Sequence, residues 1–213
     1  MKVKICGITR PEDAAVAVES GADAVGFILY PRSPRYVDPQ RAWAIARELP
    51  PFVTRVAVCV NLSICDIIRI ERVAPFDAWQ LHGDEEPDVA QALLPRRIIK
   101  VFRLGEGDAP DVAEWQGNSS AFLLDTPGPG YGGTGRTFDW QSAADFRATS
   151  PRPVILSGGL GPHNAAEAIR TVQPYAVDVS SGVEEVPGRK DHAKVRDFVA
   201  ACKGALEKAR SGL

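Results

Sequence analysis

The feature that most constrains this chain is an alternation repeated eight times, in which a short, β-rich apolar run is followed by a segment of helical character. The runs are VKICGI (3 to 8), AVGFILY (24 to 30), RVAVCVN (55 to 61) and AWQLHG (78 to 83), then IIKVFRL (98 to 104), AFLLDT (121 to 126), PVILSGG (153 to 159) and YAVDVSS (175 to 181). Strands joined through helices return in the same direction and pair as a parallel sheet. Eight such units in 213 residues predict an α/β fold, a single (β/α)8 TIM barrel spanning 1–213, with brief loops at the face away from the strand ends. The alternative, an open doubly wound sheet, uses fewer strands in this length. It often opens with a Gly-rich dinucleotide fingerprint, which is missing after the first run. Helix signals are clearest at PEDAAVAVESG (11 to 21), where proline and two acids lead and glycine ends, and over the amphipathic 192 to 208. No linker, low-complexity tract or composition shift marks a second domain.

Composition narrows the function classes. With 25 basic against 27 acidic residues and a net charge of −2, no basic block is present to neutralise several phosphates of a nucleic acid, so no nucleic-acid partner is expected. No apolar run approaches the roughly 18 residues of a membrane span, and the start lacks the pattern of a secretory signal. No membrane partner and a cytoplasmic location are therefore expected. Cys6, Cys59, Cys65 and Cys202 show neither zinc spacing nor disulfide-scaffold density. With only His82, His163 and His192 beside them, a metal site is not expected.

In strand-helix repeat folds the carboxyl ends of strands collect the reactive groups. Cys6 sits at such an end, in KICGIT, although a lone cysteine is more often a small core hydrophobe. Asp125 ends the sixth run and opens the glycine-rich stretch to 140, with Asp139 as a helix cap. Within that stretch Gly130, Gly135, Arg136 and Thr137 imitate a P-loop, but arginine stands where lysine should reach phosphate. LSGGLGPHN and DVSSGVE, at the ends of the seventh and eighth runs, are suited to cradle a phosphate through backbone N–H groups. The candidates there are Gly158, Gly159, Ser180, Ser181 and Gly182. Arg32 and Arg35, in a proline-stiffened loop, offer planar forks for a substrate carboxylate. Gln80 and His82 close the fourth run, where His82 either meets substrate or merely satisfies a backbone carbonyl.

Strand parity adds a pairing. Lys4 and Cys6 share one face of the first strand, and Asp178 and Ser180 share one face of the eighth. Barrel closure makes these strands neighbours, and an inward lysine is costly unless paired. Lys4 and Asp178 are thus expected to meet inside the barrel.

Taken in order, KICGIT, WQLHGDE, LLDT with GGTGRTFDW, LSGGL and DVSSGVE resemble the phosphoribosylanthranilate isomerase family over nearly the whole chain. The resemblance implies a TIM barrel of tryptophan biosynthesis that performs an Amadori rearrangement on a phosphorylated small molecule. A monomer or homodimer is expected, the sequence not deciding between them. It puts the catalytic cysteine on Cys6, the catalytic aspartate on Asp125 and the anthranilate-binding arginine on Arg35. Beside these, the residue reading expects Gln80, His82 and Asp178 as further substrate contacts. The chemistry asks for a protonated Asp125 to open the ribose ring and a Cys6 thiolate to take the C2 proton, with Lys4 or a nearby helix N-terminus raising the thiolate fraction. No cofactor is expected, because the substrate iminium is the electron sink. A histidine-pathway or dual-substrate phosphoribosyl isomerase is the alternative, although such barrels typically carry an aspartate where this chain has Cys6.

Overall fold

A computed structural model describes residues 1–105, 110–127 and 139–211. Eight strands fall on the expected runs, β1, β3 and β5 starting one residue earlier: β1 (Lys2–Cys6), β2 (Ala24–Ile28), β3 (Thr54–Cys59), β4 (Ala78–Leu81), β5 (Arg97–Arg103), β6 (Ala121–Asp125), β7 (Val154–Leu156) and β8 (Ala176–Val179). They pair in sequence order and close, β8 on β1, into one parallel barrel. Around it run α1 (Pro11–Glu19), α2 (Pro39–Ala46), α3 (Ile64–Glu71), α4 (Pro87–Ala92), α5 (Trp140–Thr149), α6 (Ala165–Val172) and α7 (His192–Ser211). Starts are chemically marked. Asp38 accepts from the Gln40 and Arg41 N–H groups, Ser63 from Asp66 and Asp139 from Gln141, each meeting helix donors that lack an intrahelical partner.

Two features depart from the sequence reading. After β5 the described chain forms only a 3-10 turn, Ala113–Trp115, too short to leave a helical period. Between β8 and α7 stands an unforeseen antiparallel hairpin, β9 (Glu184–Val186) with β10 (Arg189–Lys190), turning at Gly188 with φ +82°. Its strands are too short to show alternation.

Parity divides the strand side chains into two cores. Outward residues such as Phe27, Trp79, Leu81 and Phe122 are fully buried against the helices, each contributing about 1.5–3 kcal/mol through burial. Inward residues form a second, separate cluster that includes Val56, Val58, Ile99, Val101, Leu123 and Ile155. The registers Lys4↔Ala24, Val56↔Ala78, Ile99↔Ala121 and Ile155↔Ala176, with Lys4↔Asp178 across the closure, stagger even strands against odd ones. Layers of four side chains from alternate strands follow. The layer at the N-terminal mouth is Ala24, Ala78, Ala121 and Ala176, and a cavity of about 350 Å³ opens there. Toward the C-terminal mouth the interior turns polar: Gly26, Gln80, Leu123 and Asp178, then Cys6, Val58, Val101 and Ser157, then Ile28, His82, Asp125 and Ser180.

Candidate active site

The thiol of Cys6 lies buried beside a buried ion pair. Lys4 Nζ donates to Asp178 Oδ1 at 2.8 Å, as strand parity predicted, and Ser157 Oγ donates to Asp178 Oδ2 at 3.2 Å. The room comes from β2. A Cβ on Gly26 would lie 2.8 Å from Cys6 Sγ and 3.2 Å from Lys4 Nζ, so glycine here is what lets thiol and ammonium share the space. Burial pushes the Cys6 thiol up and Asp178 adds to it, outweighing the Lys4 and Lys190 ammoniums that pull it down. Lys4 thus acts in the direction the sequence implied, but desolvation is the larger effect. Lys4 itself is held above its ordinary value: burial works against the charged form, and Asp178 and Cys6 together overcome it.

Asp125, buried at the end of β6, accepts from the Thr126 N–H at 2.8 Å. Its Oδ2 stands 3.2 Å from His82 Nε2, without the alignment of a hydrogen bond. Gln80 Nε2 lies 2.9 Å from His82 Nδ1. With the amide donating, the neutral imidazole carries its proton on Nε2, facing Asp125. The loop that holds His82 is anchored from outside the barrel. Glu85 accepts from the Asn61 and Gly83 N–H groups and receives buried Lys100 Nζ at 2.9 Å, while Lys100 also donates to the Gly83 carbonyl at 3.0 Å. Glu85 and Lys100 are positioning groups that sequence reasoning missed; a lysine inside an apolar strand run was the available signal.

Arg35 is buried, whereas Arg32 is exposed. The Arg35 guanidinium reaches the β9 carboxylate of Glu184 side-on, Nε at 2.9 Å and Nη2 at 2.7 Å, so a ligand carboxylate would meet the remaining Nη1 side. Lys190 Nζ, fully buried, donates to Glu184 Oε1 at 2.9 Å and to the Ser180 carbonyl at 3.1 Å. Burial favours the neutral acid of Glu184, but Arg35 and Lys190 hold its carboxyl below the usual value. Burial lowers Lys190 more than Glu184 raises it. Neither Glu184 nor Lys190 was recognised from sequence, because their relation to Arg35 and Cys6 exists only once β8 closes on β1.

The phosphate candidates come together where the loops after β7 and β8 interlock. Gly158 and Gly159 take φ of +82° and +63°, a region that favours glycine. A side chain on Gly158 would strike the Thr126 peptide and approach Asp125 Oδ1 at 3.1 Å, so this loop also packs behind the acid. Gly182 is pressed against the Leu160 carbonyl, and Ser181–Val183 form a 3-10 turn. Among the described residues, the buried polar atoms without a hydrogen-bond partner include Gln80 Oε1, His82 Nε2 and Ser180 Oγ. All three belong to inward residues of the polar upper barrel, and a buried polar atom calls for a partner. The P-loop-like residues Gly130, Gly135, Arg136 and Thr137, and the 127 to 137 loop from Gly128 onward, lie outside the described residues. Among the described residues no cluster of three or more His, Cys, Asp or Glu side chains could hold a metal ion, and no helix is long and apolar enough to cross a membrane.

The chain is similar to known proteins over nearly its whole length. The family model described as N-(5'phosphoribosyl)anthranilate (PRA) isomerase matches residues 3–201. An N-(5'-phosphoribosyl)anthranilate isomerase of Trichlorobacter lovleyi is 48% identical over 208 residues, covering 97% of this chain and 100% of that protein. The crystal structure of phosphoribosyl anthranilate isomerase from Thermus thermophilus superposes with a TM-score of 0.86 at 42% identity, covering 96% of this chain and 99% of the other. A crystal structure of phosphoribosyl anthranilate isomerase in complex with reduced 1-(o-carboxyphenylamino)-1-deoxyribulose 5-phosphate does so with a TM-score of 0.82 at 40% identity, covering 96% and 99%. With a model match over almost its entire length and relatives this similar, the chain belongs to the N-(5'-phosphoribosyl)anthranilate isomerase family.

Proposed function

We propose that the isomerisation of N-(5'-phosphoribosyl)anthranilate to 1-(2-carboxyphenylamino)-1-deoxyribulose 5-phosphate is carried out in this chain by general acid and base catalysis, with Asp125 as the acid and Cys6 as the base. Asp125, as a carboxylic acid, gives its proton to the ribose ring oxygen while the C1–O bond breaks and the aryl nitrogen's lone pair forms the iminium. The Cys6 thiolate then takes the C2 proton, the C–H electron pair forms the C1–C2 double bond, and the iminium π pair returns to nitrogen to give a neutral enolamine. Tautomerisation moves a proton from the C2 hydroxyl to C1 and leaves the ketone.

The observation that carries this reading is the placement of Cys6 and Asp125 on inward positions of β1 and β6 at the same barrel mouth, with unpartnered buried polar atoms of Gln80, His82 and Ser180 around it. Such atoms offer hydrogen-bonding partners to a polar substrate. The substrate phosphate is assigned to the loops bearing Gly158, Gly159, Ser180, Ser181 and Gly182, and the aryl carboxylate to Arg35. Gln80, His82 and Asp178 complete the substrate contacts. The ligand recorded in the related structure, which carries a phosphate and a carboxyphenyl group, asks for the same two anion sites.

A general acid or base contributes about 10² to 10⁴ in rate. Cys6→Ser and Asp125→Asn are each expected to lower kcat at least about hundredfold in a fluorescence-monitored conversion assay, with the circular dichroism spectrum unchanged. Wild-type turnover in a folded variant would remove that residue from its role. Running the histidine-pathway substrate beside it tests the alternative: conversion of that substrate at a comparable kcat/KM would make the chain a dual-substrate barrel.

A further inference from the structure

The base assigned above is a buried thiol, and burial works against its ionisation. What faces it decides whether a thiolate can exist. On β1 it shares a face with Lys4; β8 brings Asp178 and Ser180; β2 and β3 contribute uncharged Gly26 and Val58. The loop after β2 brings Arg35, and the hairpin brings Glu184 and Lys190. The charged members of this set are three cations and two carboxylates, so the cluster is left one positive charge in excess while Cys6 is a thiol. Ionisation of Cys6 makes it neutral.

We propose that Lys190 is a positioning residue for Cys6: held against the end of β1 by Glu184 and the Ser180 carbonyl, its ammonium supplies, with Lys4, the countercharge of the thiolate. The geometry supports this on three counts. Lys190 is wholly shielded from solvent, and two of its three N–H bonds are used, on Glu184 and on Ser180. Ser180 follows directly on β8, whose Val179 pairs with Ile5, and its Oγ lies 2.9 Å from where a Cβ on Gly7 would stand; the ammonium is therefore bonded to the backbone neighbouring the Cys6–Gly7 turn. The hairpin that carries Lys190 is tied to the barrel rather than to solvent, since Thr9 Oγ1 donates to the Gly188 carbonyl at 2.5 Å and the Lys190 N–H donates to Asp13 at 3.1 Å. Charge attraction between Lys190 and Cys6 acts on both groups, lowering the thiol and raising the ammonium against burial.

This rests on the reading of Cys6 as the base, but its test does not need turnover. The rate of Cys6 alkylation by iodoacetamide, followed by mass spectrometry of the Cys6 peptide, reports thiolate fraction against pH. Lys190→Met is expected to raise the midpoint by about one pH unit or more and to shift the acidic limb of kcat/KM with it, whereas Lys190→Arg keeps both near wild type. An unchanged midpoint in folded Lys190→Met overturns the proposal, even where activity falls, because a merely structural role would not hold the ionisation. Should Lys190→Met not fold, wild-type protein with ¹³C-labelled lysine decides: the Lys190 side-chain resonance is expected to step at the Cys6 midpoint and to lose that step in Cys6→Ser. No step in the wild type overturns the proposal. A Cys6→Ser variant with full turnover would instead defeat the base assignment while leaving the coupling measured.

Discussion

The two mouths of the barrel are built from the same eight strands and differ in what those strands point inward. At the N-terminal mouth four alanines form the layer around a cavity of about 350 Å³, and the nearby ion pairs Lys2–Asp23 and Arg55–Asp77 keep partial contact with water. At the C-terminal mouth Lys4, Gln80, Asp125, Ser157 and Asp178 are all buried, with Arg35, Glu184 and Lys190 closing over them. Burying paired charges costs desolvation that the pairing only partly offsets. A chain selected for stability alone would not collect them at one end. The difference teaches that the upper layers answer to chemistry and the lower ones to closure of the sheet.

Removing one partner of a buried pair sharpens this contrast most. Lys4→Met leaves Asp178 buried without its cation and is expected to cost about 3–5 kcal/mol in urea unfolding, while Lys4→Met/Asp178→Leu recovers most of that loss; a small single-mutant effect would mean that water reaches the pair. Next in size, Arg35→Ala is expected to raise KM about 10- to 100-fold, the range of a lost charge-assisted hydrogen bond, with kcat changed less. An unchanged KM would take the carboxylate anchor elsewhere.

Acid probes the same cluster more gently. Glu184 has a folded pKa below its unfolded value near 4.5, so its stabilisation is fully present above that value and is lost as pH falls through the lower, folded one. The urea midpoint should therefore drop on acidification below about pH 4.5, and less steeply in Glu184→Gln. Parallel curves for the two proteins would show that Glu184 is not the group responsible. At the other mouth, Lys2→Met breaks an exposed pair and is expected to change stability by only about 0–1 kcal/mol, as thermal or urea unfolding would record. A cost equal to that of Lys4→Met would erase the contrast between the two ends.

The β-rich runs anticipated all eight strands because strands buried on both faces, against the helices and inside the barrel, read as near-continuous apolar runs. Asp125 and Cys6 were legible for a related reason: each closes an apolar run, and the end of a run is the end of a strand. Lys4 with Asp178 needed one more step, parity combined with closure. The hairpin was not legible, since β9 and β10 have three and two residues, too few for a period. Nor was the sign of the balance at Cys6, where neighbouring charges were read correctly but burial outweighs them.

Sequence by itself thus determined the repeat, the barrel it closes into, the shared faces of Lys4 with Cys6 and of Asp178 with Ser180, and the strand ends that bear the thiol and the carboxyl. These depend on near neighbours along the chain. Only the tertiary structure decided that Arg35 is held by Glu184, 149 residues away, that Glu184 also holds Lys190, and that Gly26 clears the space for Cys6. Partner choice among charges and the desolvation each one suffers are set by what the closed barrel brings together, and no local pattern encodes them.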